Sequence, residues 1–171
     1  SGTVFRLVWL NQDVTESRTR EMTLSDLQEA TQRLPEADSL DEVCETVTSA
    51  GVDILSLPAV AVFLYNKEEG KLQPTSIKFN SDNVSSLSMK SIGNGPVWDV
   101  FTGGFPIQKE ENEDGVFIDQ IPEIRSELLL PLGSQGLLAV GDKKQDFGTS
   151  NREYAQILSA RLESGLNQVS S

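Results

Sequence analysis

The sequence predicts an α+β domain, a central antiparallel sheet with helices packed on it. Two pairs of apolar runs predict the sheet. Residues 59–65 and 72–79 flank the turn Asn66-Lys67-Glu68-Glu69-Gly70, and residues 127–132 and 137–141 flank Gln135-Gly136. Each pair reads as a hairpin, so the strands are antiparallel. Two capping boxes predict the helices: Ser39 with Glu42, and Ser150 with Glu153. Runs of helices and strands, without a strand–helix alternation, are the α+β pattern.

The elements follow in order. Residues 3–10 read as a strand, with Thr3, Phe5, Leu7 and Trp9 alternating with Val4, Arg6, Val8 and Leu10. Asn11 and Asp13 break it. Residues 16–34 lack Gly and Pro and favour helix, with Leu24, Leu27, Thr31 and Leu34 forming a narrow seam. The helix opened by Ser39 carries Leu40, Val43, Cys44, Val47, Ile54 and Leu55 on one face to about Ser56, before Pro58. The Ser- and Asn-rich segment 80–91 reads as a loop. Pro96 then opens a short helix with Val97, Trp98, Val100 and Phe101, stopped by Gly103-Gly104. Residues 105–108 read as a short strand. Glu110, Glu111, Glu113 and Asp114 read as a solvated loop, because calcium-loop spacing is absent. The last helix starts from Ser150 and carries Tyr154, Ile157, Leu158, Leu162 and Leu166 on one face.

Composition narrows the chemistry. In 171 residues, 26 Asp+Glu face 14 Lys+Arg, so 14 − 26 gives a net charge of −12, with no histidine and one cysteine. Without histidine there is no imidazole base, no His-based triad and no histidine ligand for zinc or haem. The acidity argues against direct contact with nucleic acid or anionic membranes, which require a positive surface. Cys44 alone forms no intrachain disulfide, which suits a reducing, cytoplasmic setting. No apolar run reaches the ~18 residues of a membrane span. The negative charge reads either as a solubility device or as adaptation to high salt.

Motif order then identifies a family likeness over residues 36–168. Ile124-Arg125-Ser126-Glu127-Leu128-Leu129-Leu130-Pro131-Leu132-Gly133, followed by Gly136-Leu137-Leu138-Ala139-Val140-Gly141, resembles two successive strands of GAF domains. Gly93, Gly95 and Val97 resemble the "GxGxxG" opening of that family's short helix, although Pro96 and Trp98 replace commoner residues. Asp146-Phe147 resembles its "FTxxD" lead-in to the terminal helix. The stretch from Val8 to Glu16 is similar to the end of a PAS domain, with Asp13 and Thr15 at its cap and Ser17 replacing the usual arginine. The likeness implies a PAS-derived strand and cap over 1–15, a linker helix over 16–35 and a GAF-like domain with long N- and C-terminal helices over 36–171. PAS–GAF order with an acidic composition resembles haloarchaeal signalling proteins, notably bacterio-opsin-activator-like transcriptional regulators.

The likeness implies a non-catalytic sensory domain of a cytoplasmic signal-transduction protein. Its DNA-binding domain would be separate, so this segment itself makes no nucleic acid or membrane contact. The alternatives are the input domain of a sensor histidine kinase and a dimerisation spacer without ligand. GAF-type methionine sulfoxide reductases need several cysteines, and bilin-binding GAF domains need a cysteine near a histidine. Neither set is present, and no cofactor or metal is expected. Asn66-Lys67 matches the start of a cyclic-nucleotide signature but lacks its partners and reads as a turn. In this fold a small ligand sits between the sheet and the short helix, so Phe63, Phe79, Trp98, Phe101 and Phe117 are the expected lining, with Asp99 and Arg125 as polar groups. A homodimer through the terminal helices would use Leu24, Leu27 and Leu34 with Leu158, Leu162 and Leu166.

Overall fold

The computed structural model describes residues 21–32, 39–82, 84–87, 89–110, 115–118, 120–144 and 147–170. The 3–10 strand, the cap at Asp13 and Thr15, Leu34, Asp146, and Glu111, Glu113 and Asp114 of the acidic run lie outside the described residues. Helix α1 covers 21–31, and α2 covers Leu40–Asp53. Strands β1 (Ala59–Asn66) and β2 (Lys71–Phe79) follow, then α3 (Gly95–Gly103), β3 (Ile107–Glu110), β4 (Ser126–Pro131), β5 (Gly136–Asp142) and α4 (Thr149–Ser170).

The five strands form one antiparallel sheet in the order β2-β1-β5-β4-β3. The two predicted hairpins are β1–β2 and β4–β5, and pairing of β1 with β5 joins them into one sheet. Both sheet faces are covered, which explains the unbroken apolar runs of the central strands. Val60, Val62, Leu128, Leu130, Leu138 and Val140 face the helices α1, α2 and α4. Ala59, Ala61, Phe63, Leu129, Leu137 and Ala139 belong to the opposite core with α3. Pro74, which has no N–H to donate, sits on the edge strand β2, beside a register shift between Val62 and Phe63. Among the described residues no helix is long and apolar enough to cross a membrane.

The helix boundaries show what local sequence does and does not specify. Ser39 Oγ accepts the Glu42 N–H at 3.2 Å, so one half of the predicted capping box is made. Helix α2 stops three residues before the predicted Ser56. Ile54 and Leu55 N–H both close on the Ala50 carbonyl, and Ser56 takes a left-handed φ of 58°. The chain must leave the helix there to bring Ala59 opposite Gly141 and Phe79. Leu40, on the predicted apolar face, is exposed.

Two further boundaries differ from expectation. The short strand runs over Ile107–Glu110 instead of 105–108, because its pairing partner is β4, with Ile107 opposite Leu129. Pro106 offers no donor to that ladder, and Phe105 is exposed. Helix α4 begins at Thr149, which puts Ser150 inside its first turn instead of at the cap. Asp142, at the end of β5, supplies the missing acceptor. Its Oδ2 accepts from Gly148 N at 3.0 Å and Asn151 Nδ2 at 3.2 Å, and its Oδ1 from Lys144 N at 3.2 Å. An anionic group is favourable at a helix N-terminus, whichever part of the chain it comes from.

The β1–β5 seam depends on Gly136. A Cβ there would lie 2.1 Å from the Phe63 carbonyl oxygen, a backbone atom that cannot move aside without breaking the ladder. Gly136→Ala is expected to lower the unfolding free energy by about 3 kcal/mol. Gly103→Ala, in a helix with open space around the added methyl, is expected to be neutral or stabilising by up to ~1 kcal/mol. Urea denaturation of the two variants measures the contrast.

Candidate functional site

The α3 face of the sheet is built on small residues. Ala59 pairs with Gly141 and Ala61 with Ala139 across the β1–β5 seam. These small side chains leave a depression, which Phe117 and Ile124 enter. A Cβ on Gly141 would come within 2.7 Å of Ile124 Cδ1 and 3.4 Å of Phe117 Cδ2. Both residues are buried.

Phe117 belongs to no helix or strand, so something else must hold it there. That group is Glu127, a fully buried carboxyl near the start of β4. Its Oε2 accepts the Val116 N–H at 2.8 Å, and its Oε1 accepts the N–H groups of Phe117 and Ile118 at 3.2 Å each. Three successive amides thus converge on one carboxylate, satisfying a loop that would otherwise bury unpaired donors. Gly115 makes room for it: a Cβ there would fall 1.9 Å from Glu127 Oε1.

The neighbouring residues of the same run have separate tasks. Ile124 fills the space above Gly141. The Arg125 N–H donates to the Asp142 carbonyl at 2.9 Å, and Ser126 Oγ donates to the Lys144 carbonyl at 2.6 Å. Alternation through Ile124, Arg125, Ser126 and Glu127 therefore fastens β4 both to the 116–118 loop and to the connection after β5. Sequence reasoning took Glu127 as part of an apolar strand and missed this role. The available signal was a lone acid heading the run Leu128-Leu129-Leu130.

An aromatic cluster closes the outer side of this face. Tyr65, at the end of β1, lies 6.0 Å from Trp98 and 5.4 Å from Phe101, ring centre to ring centre, and Trp98 and Phe101 are 5.4 Å apart. The last two stand three residues apart on α3 and so share a helix face. All three rings are tilted and half-buried, an arrangement that favours edge contacts over flat stacking. Leu87, Met89 and Ile92 of the segment between β2 and α3 pack against the same core. Two backbone hydrogen bonds between Leu72 and Ile92, at 2.7 and 2.8 Å, hold one end of that segment. A bond from Ser81 Oγ to Glu123 holds the other.

The expected lining residues are distributed as follows. Phe63 and Phe117 are fully buried, while Phe79, Trp98 and Phe101 are half-buried against the same core. Tyr65, absent from the expectation, joins them. Asp99 and Arg125 are exposed. Asn66 is a turn residue, its Oδ1 accepting the N–H groups of Glu68 and Glu69 at 2.9 and 3.2 Å. Of the seam and stripe leucines, Leu27, Leu158, Leu162 and Leu166 are buried in this chain's own core, and Leu24 is half-buried. Among the described residues no group of three His, Cys, Asp or Glu is placed to hold a metal ion.

Cys44 lies on the core face of α2 and is fully buried. Burial, with a smaller contribution from the nearby Asp41 charge, pushes its thiol up to about 12. The thiolate needed for nucleophilic or redox chemistry is therefore scarce near neutral pH.

No family model matches the chain, and no curated protein matches it. Solved structures do. The chain is similar to the GAF domain of an Acinetobacter phosphoenolpyruvate-protein phosphotransferase, at 18% identity and TM-score 0.64, over 85% of this chain and 93% of that one. It is similar to the free methionine-R-sulfoxide reductase of Neisseria meningitidis, at 15% identity and TM-score 0.69, over 88% and 91%. It is also similar to the GAF domain of a Bacillus halodurans two-component sensor histidine kinase, at 18% identity and TM-score 0.59, over 78% and 97%. The chain has the GAF fold.

Two outcomes follow from the site. Glu127→Ala strands three inward amides and is expected to cost about 3–5 kcal/mol of stability. Glu127→Gln, which keeps the shape, is expected to cost about 1–3 kcal/mol; chemical denaturation measures both. Cys44 is expected to resist alkylation in the folded protein between pH 7 and 9 and to react fully in denaturant. Because its folded pKa is raised, its contribution to stability is complete below the ordinary value of 9.0 and is lost as pH rises towards 12.

Proposed function

We propose that this chain is a non-catalytic GAF input domain of a signal-transduction protein, reading a small ligand on the α3 face of its sheet. The observation that carries the reading is the half-buried Tyr65–Trp98–Phe101 cluster, packed against the buried core on the α3 face of the sheet. Apolar surface with few polar groups, between a sheet and a short helix, is the chemistry of a small-molecule site. Phe63, Phe79 and Phe117 complete the proposed lining, and exposed Asp99 on α3 is the polar group offered to a ligand, whereas Arg125 lies at the Asp142 end of the sheet. A catalytic role like that of the Neisseria reductase is disfavoured by a single, buried, high-pKa cysteine.

The wider setting belongs to the same proposal. An acidic chain with a PAS-like start suits a cytoplasmic haloarchaeal regulator that contacts DNA through another domain. Likeness to a histidine-kinase GAF domain supports a kinase input as the second reading. A homodimer would form through α1 and α4, using positions beside the buried leucines.

Trp98 reports on the site directly. In a Trp9→Phe background it is the remaining tryptophan of two. A ligand from a panel of nucleotides and small metabolites is expected to change its fluorescence saturably. The same ligand is expected to stabilise the fold by about 2.7 kcal/mol at 100 times its Kd. Phe101→Ala is expected to abolish both effects. If no compound in the panel stabilises the protein, the spacer role replaces the sensory one.

A further inference from the structure

The opposite end of the sheet carries a cavity of about 290 Å³, where the α2–β1 connection, the end of β2, the end of β5 and the start of α4 meet. Ser56, Asn80, Asp142, Lys143, Lys144 and Asn151 line it over an apolar base that includes Leu57. In a chain of net charge −12, two adjacent lysines in one cavity stand out. Lys78 pairs with Asp53, and among the described residues neither Lys143 nor Lys144 is engaged in an ion pair.

The cavity is held in shape by the backbone around it. The Lys144 N–H donates to Asp142 Oδ1, and the Lys144 carbonyl accepts Ser126 Oγ. Its ammonium passes over the start of α4, 3.7 Å from where a Gly148 Cβ would stand. Asp142 accepts three hydrogen bonds and is 3% exposed, so its charge is absorbed by the α4 N-terminus and the adjoining amides. Ser56, held at φ 58°, lines the cavity at the turn that leads to Pro58, whose carbonyl accepts the Asn80 N–H at 2.9 Å. Two lysines, two asparagines and a serine thus line a small cavity together with one fixed carboxylate.

We propose that this cavity binds a small phosphomonoester. A phosphate ester carries about −1.5 to −2 charges at neutral pH, which matches Lys143 and Lys144 together. The Asn80 and Asn151 amides and the Ser56 hydroxyl match the hydroxyls of a short organic portion. The site lies at the opposite sheet end from the aromatic cluster's partner Tyr65 and does not depend on the ligand proposed there.

The test is an amide NMR titration of the full 171-residue chain with glycerol 3-phosphate at fixed ionic strength. Saturable shifts are expected at Asn80, Lys143, Lys144 and Asn151. The double variant K143A/K144A is expected to weaken binding about tenfold or more without changing the melting temperature in the absence of ligand. Inorganic phosphate is expected to bind more weakly than the ester. Asn80→Ala, at an exposed position, reads the same loss if the double variant fails to fold. Shifts that do not saturate, shifts centred on another surface, unchanged binding by the variants, or equal binding of phosphate and ester would each overturn the proposal.

Discussion

Everything on the α3 face depends on one buried carboxylate. Glu127 is a charged residue at a position where alternation along β4 turns its side chain into the core. Burying such a group without partners costs several kcal/mol. The 116–118 loop removes that cost by presenting three amides, and the carboxylate in turn satisfies three donors that the loop could not pair by itself. Either half without the other leaves buried polar groups unpaired. Their meeting sets Phe117 over the alanine floor and decides how much of the sheet remains for α3 and its aromatic side chains.

The same logic of shared polar groups operates at the end of β5. Asp142 completes the N-terminus of α4, and the carbonyl of that residue receives the Arg125 amide. The register between β4 and β5 is therefore tied to the placement of α4. The two faces of the sheet are consequently coupled through β4: Leu128 and Leu130 pack under the helices, while Glu127 and Leu129 face α3. A change in the 116–118 loop reaches the helical layer through a single strand.

The architecture was readable because its main signals are local. The hairpins show as apolar runs around turn residues, and the Ser39 cap and the Gly104 stop, with φ 76°, act within a few residues of the elements they end. What escaped the sequence depends on partners far along the chain. The start of α4 shifted because Asp142, seven residues upstream of Thr149, caps it in place of Ser150. β3 shifted because Leu129 sets its register. Five expected aromatics do gather on one core, since apolar side chains have few other places to go. Asp99 and Arg125 do not join them, because a polar residue's direction is set by the backbone that carries it. Glu127 was legible as an acid among leucines, but not its partners, which only the closed fold brings within reach.

Native-state hydrogen exchange tests the role of Glu127 most directly. In the parent protein the amides of Val116, Phe117 and Ile118 are predicted to be protected as strongly as those of β4. In Glu127→Gln the same three are predicted to lose protection selectively while β1 and β5 amides keep theirs under native conditions. Rapid exchange of these amides in the parent protein, or unchanged protection in the variant, would contradict the carboxylate's place as the anchor of this face.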